Sequence, residues 1–219
     1  MLILLKQLEK SVRLPFFRNM FSNSRLTASI ISYIFHPVIL CVLIPFLVVY
    51  RDTHSASYAL KWTLFSGMFI VVGLALVVVG RSIGVFSDTD VTIKEERPLF
   101  YAIVLVLAMF YALAALFFKG VFFPLSIISV AIIFASLLFD MVNTYTKASV
   151  HETTATAFVV ACGLLYGLPF FFFLLPIVFL VGWSRILLKH HTLNQLLIGG
   201  MLGAIITILT FVIGVNIVK

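Results

Sequence analysis

Uninterrupted apolar runs of close to twenty residues recur along this chain from Ala28 to Val218, and no other feature restricts its fold so severely. An α-helix needs roughly 20 apolar residues to cross the hydrocarbon core of a bilayer, so each run reads as a membrane span. Composition points the same way. Of 219 residues 63% are hydrophobic and 11% charged, with a mean hydropathy of +1.20, whereas a soluble domain is about 45–50% apolar. The expected fold is all-α: a polytopic transmembrane helical bundle of six or seven spans, forming a single domain over residues 28–219. No stretch remains for a second, soluble domain.

Before the first span, residues 1–27 set Ile3, Leu4, Leu8 and Val12 near helical spacing against Lys6, Lys10, Arg13, Arg18 and Arg25. This pattern predicts an amphipathic interfacial segment, and it lacks the charge, apolar core and small-residue order of a signal peptide. The expected spans run from about Ala28 to Tyr50, bent at Pro37 and Pro45, then from Ala59 to Gly80, Leu99 to Phe118 and Val121 to Met141. A hairpin at Lys119-Gly120 joins the third to the fourth. The 31 residues from Thr153 to Trp183 are broken at Gly167-Leu168-Pro169 and read as two short, tilted helices. The last span, about Leu196 to Val218, carries Gly199 and Gly203 at the spacing that lets two helices approach closely. Cys41 and Cys162 share no motif spacing and read as small core residues, while Phe170 to Phe173 read as core or lipid-facing bulk.

Three polar stretches interrupt the apolar pattern: Arg81 to Pro98, Asp140 to Glu152, and Ser184 to Gln195. If the two short helices each cross, all three stretches share the face of the N terminus. Eleven of the fifteen Lys and Arg residues then lie on that face, against Arg51, Lys61, Lys119 and Lys219 on the other. The bias keeps its sign without Lys94, Arg97 and Arg185. By the positive-inside rule, the N terminus and the polar stretches are expected in the cytoplasm, at a bacterial-type inner membrane. The net charge of +7 flanks apolar segments, which suits lipid headgroups rather than nucleic acid. His36, alone in the first span, reads either as a hydrogen-bonded structural residue or as one that reaches the polar stretches.

The polar stretches supply Lys94 and Arg97, then Ser149 and His151, then Arg185 and His191. Two guanidinium groups, an ammonium and a hydroxyl suit a tetrahedral oxyanion such as phosphate, because arginine donates paired hydrogen bonds to phosphate oxygens. Two histidines beside that cradle can divide the labour, one as nucleophile and one as proton donor. The chemistry implied is phosphoryl transfer with neither a metal nor another cofactor. His190 is an alternative nucleophile, facing about 100° away from His191 if both are helical.

Taken together, these residues resemble the phosphatidic acid phosphatase type 2 and haloperoxidase superfamily. Its pattern S-R-x5-H-x3-D is met by Ser184, Arg185 and His191, with Gln195 at the aspartate position. Its P-S-G-H is similar to Ala148-Ser149-Val150-His151. Its K-x6-R-P is similar to Lys94-x2-Arg97-Pro98, with Asp90 at the lysine position. The likeness covers about Asp88 to Gly203. It implies that His191 attacks phosphorus and becomes a phosphohistidine, that His151 protonates the leaving oxygen, and that Lys94, Arg97, Ser149 and Arg185 hold the phosphate. The substrate implied is a lipid phosphate or diphosphate, phosphatidate-like or polyprenyl. The Gln195 carbonyl can fix the tautomer of His191, and Asp140 or Glu152 are the acids that could replace the missing aspartate. Two other readings stay open. One is a lipid-phosphate binding protein with weak or no catalysis. The other is a magnesium-dependent membrane prenyltransferase, suggested by Asp88, Asp90, Lys94 and Arg97-Pro98, although a second aspartate-rich loop is missing.

Overall fold

The structure is a computed structural model that describes residues 23–117 and 122–218. Among these residues there is no strand, and the chain forms an all-α bundle. Helix α1 covers 23–34, followed by α2 (Pro37–Thr53), α3 (Ala56–Ser82), a 3-10 turn at Lys94–Glu96, α4 (Arg97–Leu116), α5 (Phe122–Tyr145), α6 (Val150–Tyr166), α7 (Leu168–Leu174), α8 (Pro176–Leu187) and α9 (Leu193–Val218). Most of the expected amphipathic segment, residues 1–22, and the Lys119-Gly120 hairpin lie outside the described residues.

Among the described residues, six segments are long and apolar enough to cross a membrane: Asn23–Thr53, Ala56–Ser82, Lys94–Ala114, Ile127–Tyr145, Leu168–Leu187 and Leu193–Ile213. The first comprises α1 and α2, interrupted at His36-Pro37, while Pro45 is buried inside α2 without ending it. The fifth joins α7 and α8 across Pro176. Helix α6 has only 17 residues, or about 26 Å of rise, and is tied to other helices at both ends. At one end Ser149 N donates to Gln195 O (3.2 Å), and at the other the Tyr166 hydroxyl donates to Leu47 O (2.7 Å). The break expected after Tyr166 is real. Gly167 has φ +101, a conformation that suits glycine, and it lets the chain turn back into α7.

Helix ends fall where caps and prolines place them. Ser55 accepts from Tyr58 N to start α3, and Ser149 accepts from Glu152 N to start α6 at Val150, three residues before the apolar run begins. Polar groups inside the spans bond their own backbone one turn back, as Thr63 does to Ala59 O (2.9 Å) and Thr210 to Ile206 O (2.7 Å). The pair of Ser66 and Tyr111 hydroxyls (2.8 Å) links α3 to α4 inside a cluster with Val49, Ala59 and Trp62. Cys162 is buried between α2, α6 and α8, and Cys41 is half-buried; both are free thiols. Phe171 packs on Gly163, whereas Phe170, Phe172 and Phe173 face outward with many other large apolar side chains, as a lipid-facing surface requires.

Helices α6 and α9 pack backbone against backbone through the expected glycines. A methyl group on Gly199 would lie 2.7 Å from Ser149 O, and one on Gly203 would overlap Thr153 O. Those backbone oxygens cannot retreat as a flexible side chain would. Replacing Gly203 by Ala is therefore expected to lower the thermal midpoint of the detergent-solubilised protein by several degrees, through an overpacking cost of about 1–3 kcal/mol. Gly67→Ala, where a methyl meets nothing within 4 Å, serves as the control and is expected to leave the midpoint unchanged or raise it.

Candidate active site

The first wall of the site is the loop between α3 and α4, which its own side chains fold. Phe86 is buried against Gly80, and the Asp88 carboxylate accepts from Asp90 N (2.8 Å), from Thr92 N and from the Thr92 hydroxyl. Between them Val91 adopts φ +46, a left-handed conformation costly for a β-branched residue, while its side chain is buried with Val77 and Phe86. This arrangement turns Asp90 toward the bundle.

Cations then lash the loop to the segment between α5 and α6. Buried Arg97 donates from Nε to Val91 O (3.1 Å) and from Nη1 to Ala148 O (3.1 Å). Lys94 Nζ donates to Thr144 O (3.1 Å), Lys147 Nζ to Thr92 O (2.9 Å), and Asn143 Nδ2 to Lys94 O (3.0 Å). His151, the second residue of α6, follows directly and is buried.

The third contribution comes from the end of α8 and the turn into α9. Arg185 is buried and donates from Nη1 to Ser32 Oγ (2.9 Å). His190 and His191 are not helical: both backbone N–H groups bend back to Arg185 O (3.0 and 3.4 Å) around Lys189, whose φ is +60. His191 Nδ1 lies 3.1 Å from Gln195 Oε1, which also accepts from Thr192 N (3.2 Å). A carbonyl oxygen only accepts, so Nδ1 carries the ring proton and Nε2 keeps a free lone pair. Burial pulls the His191 pKa from 6.5 down to about 4, with Arg185 and Arg97 adding to it and the Gln195 hydrogen bond opposing it. Neither acid suggested as a substitute partner takes that place. Asp140 is exposed, and the buried Glu152 carboxylate lies against Gly182.

Five of the seven residues singled out in the sequence line one cleft of about 670 Å³: Lys94, Arg97, His151, Arg185 and His191. Gln195 lines an adjoining cleft of about 630 Å³, which shares Lys94, Lys147, Lys189, His190 and His191 with the first. Ser149 lines neither. It is fully buried, and its hydroxyl caps α6 rather than facing a ligand. Among the described residues, Arg185 Nε and His151 Nε2 are buried without a hydrogen-bond partner.

Two residues outside the seven of the expected phosphate site also meet here. Asp90 lines the cleft, and His36 Nε2 lies 3.9 Å from Asp90 Oδ1. The His36 ring also meets His151 edge-on, with centroids 5.1 Å apart and planes at 88°. His36 thus fits both readings offered for it, since its Nδ1 accepts from Val38 N (3.3 Å) to cap α2. A histidine directly before a helix-starting proline was the available signal. The neighbouring His36 holds the Asp90 carboxyl at about 2, with His151 and Arg185 contributing.

Compared with known protein families, curated proteins and solved structures, the chain matches none of them.

A pKa of about 4 keeps His191 neutral at mildly acidic pH, where an ordinary histidine is largely protonated. Because Arg185 disfavours the charged ring, Arg185→Gln is expected to raise the His191 value. Histidine side-chain NMR across a pH series measures both, and a His191 that titrates near 6.5 in the parent protein contradicts the burial and charge described above.

Proposed function

We propose that the protein is a membrane-embedded lipid phosphatase that hydrolyses a lipid phosphate or diphosphate through a phosphohistidine. The observation that carries this reading is the convergence of Lys94, Arg97, His151, Arg185 and His191 on one cleft from three remote stretches of chain. Its resemblance to the phosphatidic acid phosphatase type 2 superfamily at these positions supports the same roles.

In this mechanism Arg185 and Arg97 orient the phosphoryl group, and His191 Nε2 attacks phosphorus. The bond to the lipid oxygen breaks as His151 delivers a proton to that oxygen. Water then attacks the phosphohistidine, returns its proton to His151 and releases phosphate. Gln195 keeps the proton on His191 Nδ1, so Nε2 is always the nucleophile. Lys94 and Arg97 already donate to carbonyls, which makes them partly structural, whereas Arg185 retains an unpartnered buried donor. The position of the cleft at one end of an apolar bundle favours a substrate whose tail stays in lipid. The charge bias of the connecting segments supports a cytoplasmic site.

Gln195 supplies no negative charge to a forming imidazolium, which favours a lipid-phosphate binding protein with slow or no turnover. For a prenyltransferase, the Asp88 carboxylate would have to hold metal diphosphate, yet it closes its own turn onto Asp90 and Thr92.

Phosphate release from a panel of lipid phosphates, assayed with purified protein, tests the proposal. Release is expected to survive EDTA, to be blocked by vanadate and to vanish in His191→Ala; full turnover in that variant would sink it. Arg185→Ala is expected to lower kcat by about 10²- to 10³-fold, the usual loss of an oxyanion donor. Lys94→Ala is expected to cost less than about tenfold, as for an exposed charge. Gln195→Glu keeps the side-chain length while adding the missing charge, and turnover is expected to rise about tenfold or more.

A further inference from the structure

Asp90 stands where it opposes the evident purpose of the cleft, because a carboxylate beside phosphate-binding cations weakens the binding of an anion. Its position is nevertheless rigidly specified. The Asp88 turn holds its backbone, and the next residue is the buried, left-handed Val91. Its side chain is 41% exposed, and His36, at 3.9 Å, is its ion-pair neighbour among the described residues.

His151 has the complementary problem. A proton donor must carry its proton at working pH, but burial disfavours a charged imidazole. A place in the first turn of a helix, with the positive end of the dipole beside it, disfavours it further. The charged and titratable groups acting on His151 include Arg185 from α8, His191 from the α8–α9 turn, His36 from the α1–α2 junction and Asp90 from the α3–α4 loop, and the cleft it lines also holds Lys94, Glu95, Arg97, Lys147, Lys189 and His190. Its neighbour on α6, Glu152, directs its carboxylate at Gly182. Of the two carboxylates that line this cleft, Asp90 and Glu95, Asp90 is the one set against His36, whose ring packs on His151.

We propose that His36 and Asp90 are positioning residues for the proton donor, with Asp90 supplying the counter-charge of a protonated His151 and the His36 ring holding the two in register. The catalytic meaning of this pair rests on the phosphatase reading. The geometry of His36 fits the task. Its Nδ1 accepts from Val38 N, so a neutral ring carries its proton on Nε2, facing Asp90 Oδ1, while the ring edge packs against His151. During the reaction Asp90 takes up no proton. It favours the charged His151 before the lipid–oxygen bond breaks and again after water has returned the proton. Three separate elements, the α1–α2 junction, the α3–α4 loop and α6, meet to build this arrangement.

Histidine side-chain NMR of the full-length protein in detergent micelles tests the pair directly, with the His151 signals identified by their loss in His151→Gln. Asp90→Asn is expected to lower the pH midpoint of His151 by about one unit. Asp90→Glu, which keeps the charge, is expected to restore most of that shift, and His36→Gln to produce a smaller one. An unchanged midpoint in Asp90→Asn overturns the proposal whether or not the protein releases phosphate. In turnover, the alkaline limb of the kcat profile is expected to move down by the same interval in Asp90→Asn. A limb that stays in place while His191→Ala is inactive overturns the pair and leaves the phosphatase reading intact. If the parent protein releases no phosphate while the His151 midpoint shifts in Asp90→Asn, the phosphatase reading fails and the electrostatic pair stands.

Discussion

The backbone contact between α6 and α9 is the interaction on which the site depends. In lipid, helices gain little from burying apolar surface against each other, so close packing of small residues and interhelical hydrogen bonds carry much of their association. Here Gly199 and Gly203 remove the side chains that would hold the two backbones apart. The Thr153 hydroxyl then donates to Gly199 O (2.8 Å), and Ser149 N donates to Gln195 O (3.2 Å). The N-terminal ends of two helices are thereby clamped side by side, and with them His151 and the Gln195 that holds His191. A bulkier residue at either glycine would push His151 and the Gln195–His191 pair apart before it disturbed those side chains themselves.

Around that clamp the polar groups serve two purposes. Arg97, Lys94, Lys147 and Asn143 stitch the α3–α4 loop to the end of α5 and the start of α6, each through a backbone carbonyl. The positive charges of Arg97, Lys94 and Lys147 therefore line the cleft already oriented, whereas Asn143 is a neutral member of the stitching. Arg185 differs: one of its nitrogens is anchored to Ser32, and its Nε is buried without a partner. The distinction separates Arg97, Lys94 and Lys147, whose hydrogen bonds build the cleft, from Arg185, which keeps a donor to spare, although all four are basic.

Much of the fold was legible in the residues because membrane helices follow from local properties. Apolar run length marks the spans, and the His36-Pro37 and Gly167-Leu168-Pro169 breaks fall where the helices part. The glycine spacing in α9 was readable for the same reason. Helix ends were less so: α5 continues to Tyr145 and α6 begins at Val150, because helical bonding and a serine cap extend past the apolar residues. Ser149 looked like a phosphate ligand in sequence, since a hydroxyl two residues before a histidine carries no sign of whether it will face a cleft or cap a helix.

The sequence by itself determined that the chain forms apolar helices, that its polar chemistry sits in three stretches, and which residue types those stretches offer. Hydropathy and helical period are properties of neighbouring residues, so they survive without knowledge of the rest. Tertiary structure alone decided which side chains share the cleft. It gave His191 the Gln195 carbonyl rather than Asp140 or Glu152, turned Ser149 inward, and brought His36 and Asp90 to His151. Those outcomes depend on how closely remote helices approach and on how one strained loop packs against Gly80. Such distances are set by side-chain volumes and backbone angles at contacts far apart along the chain.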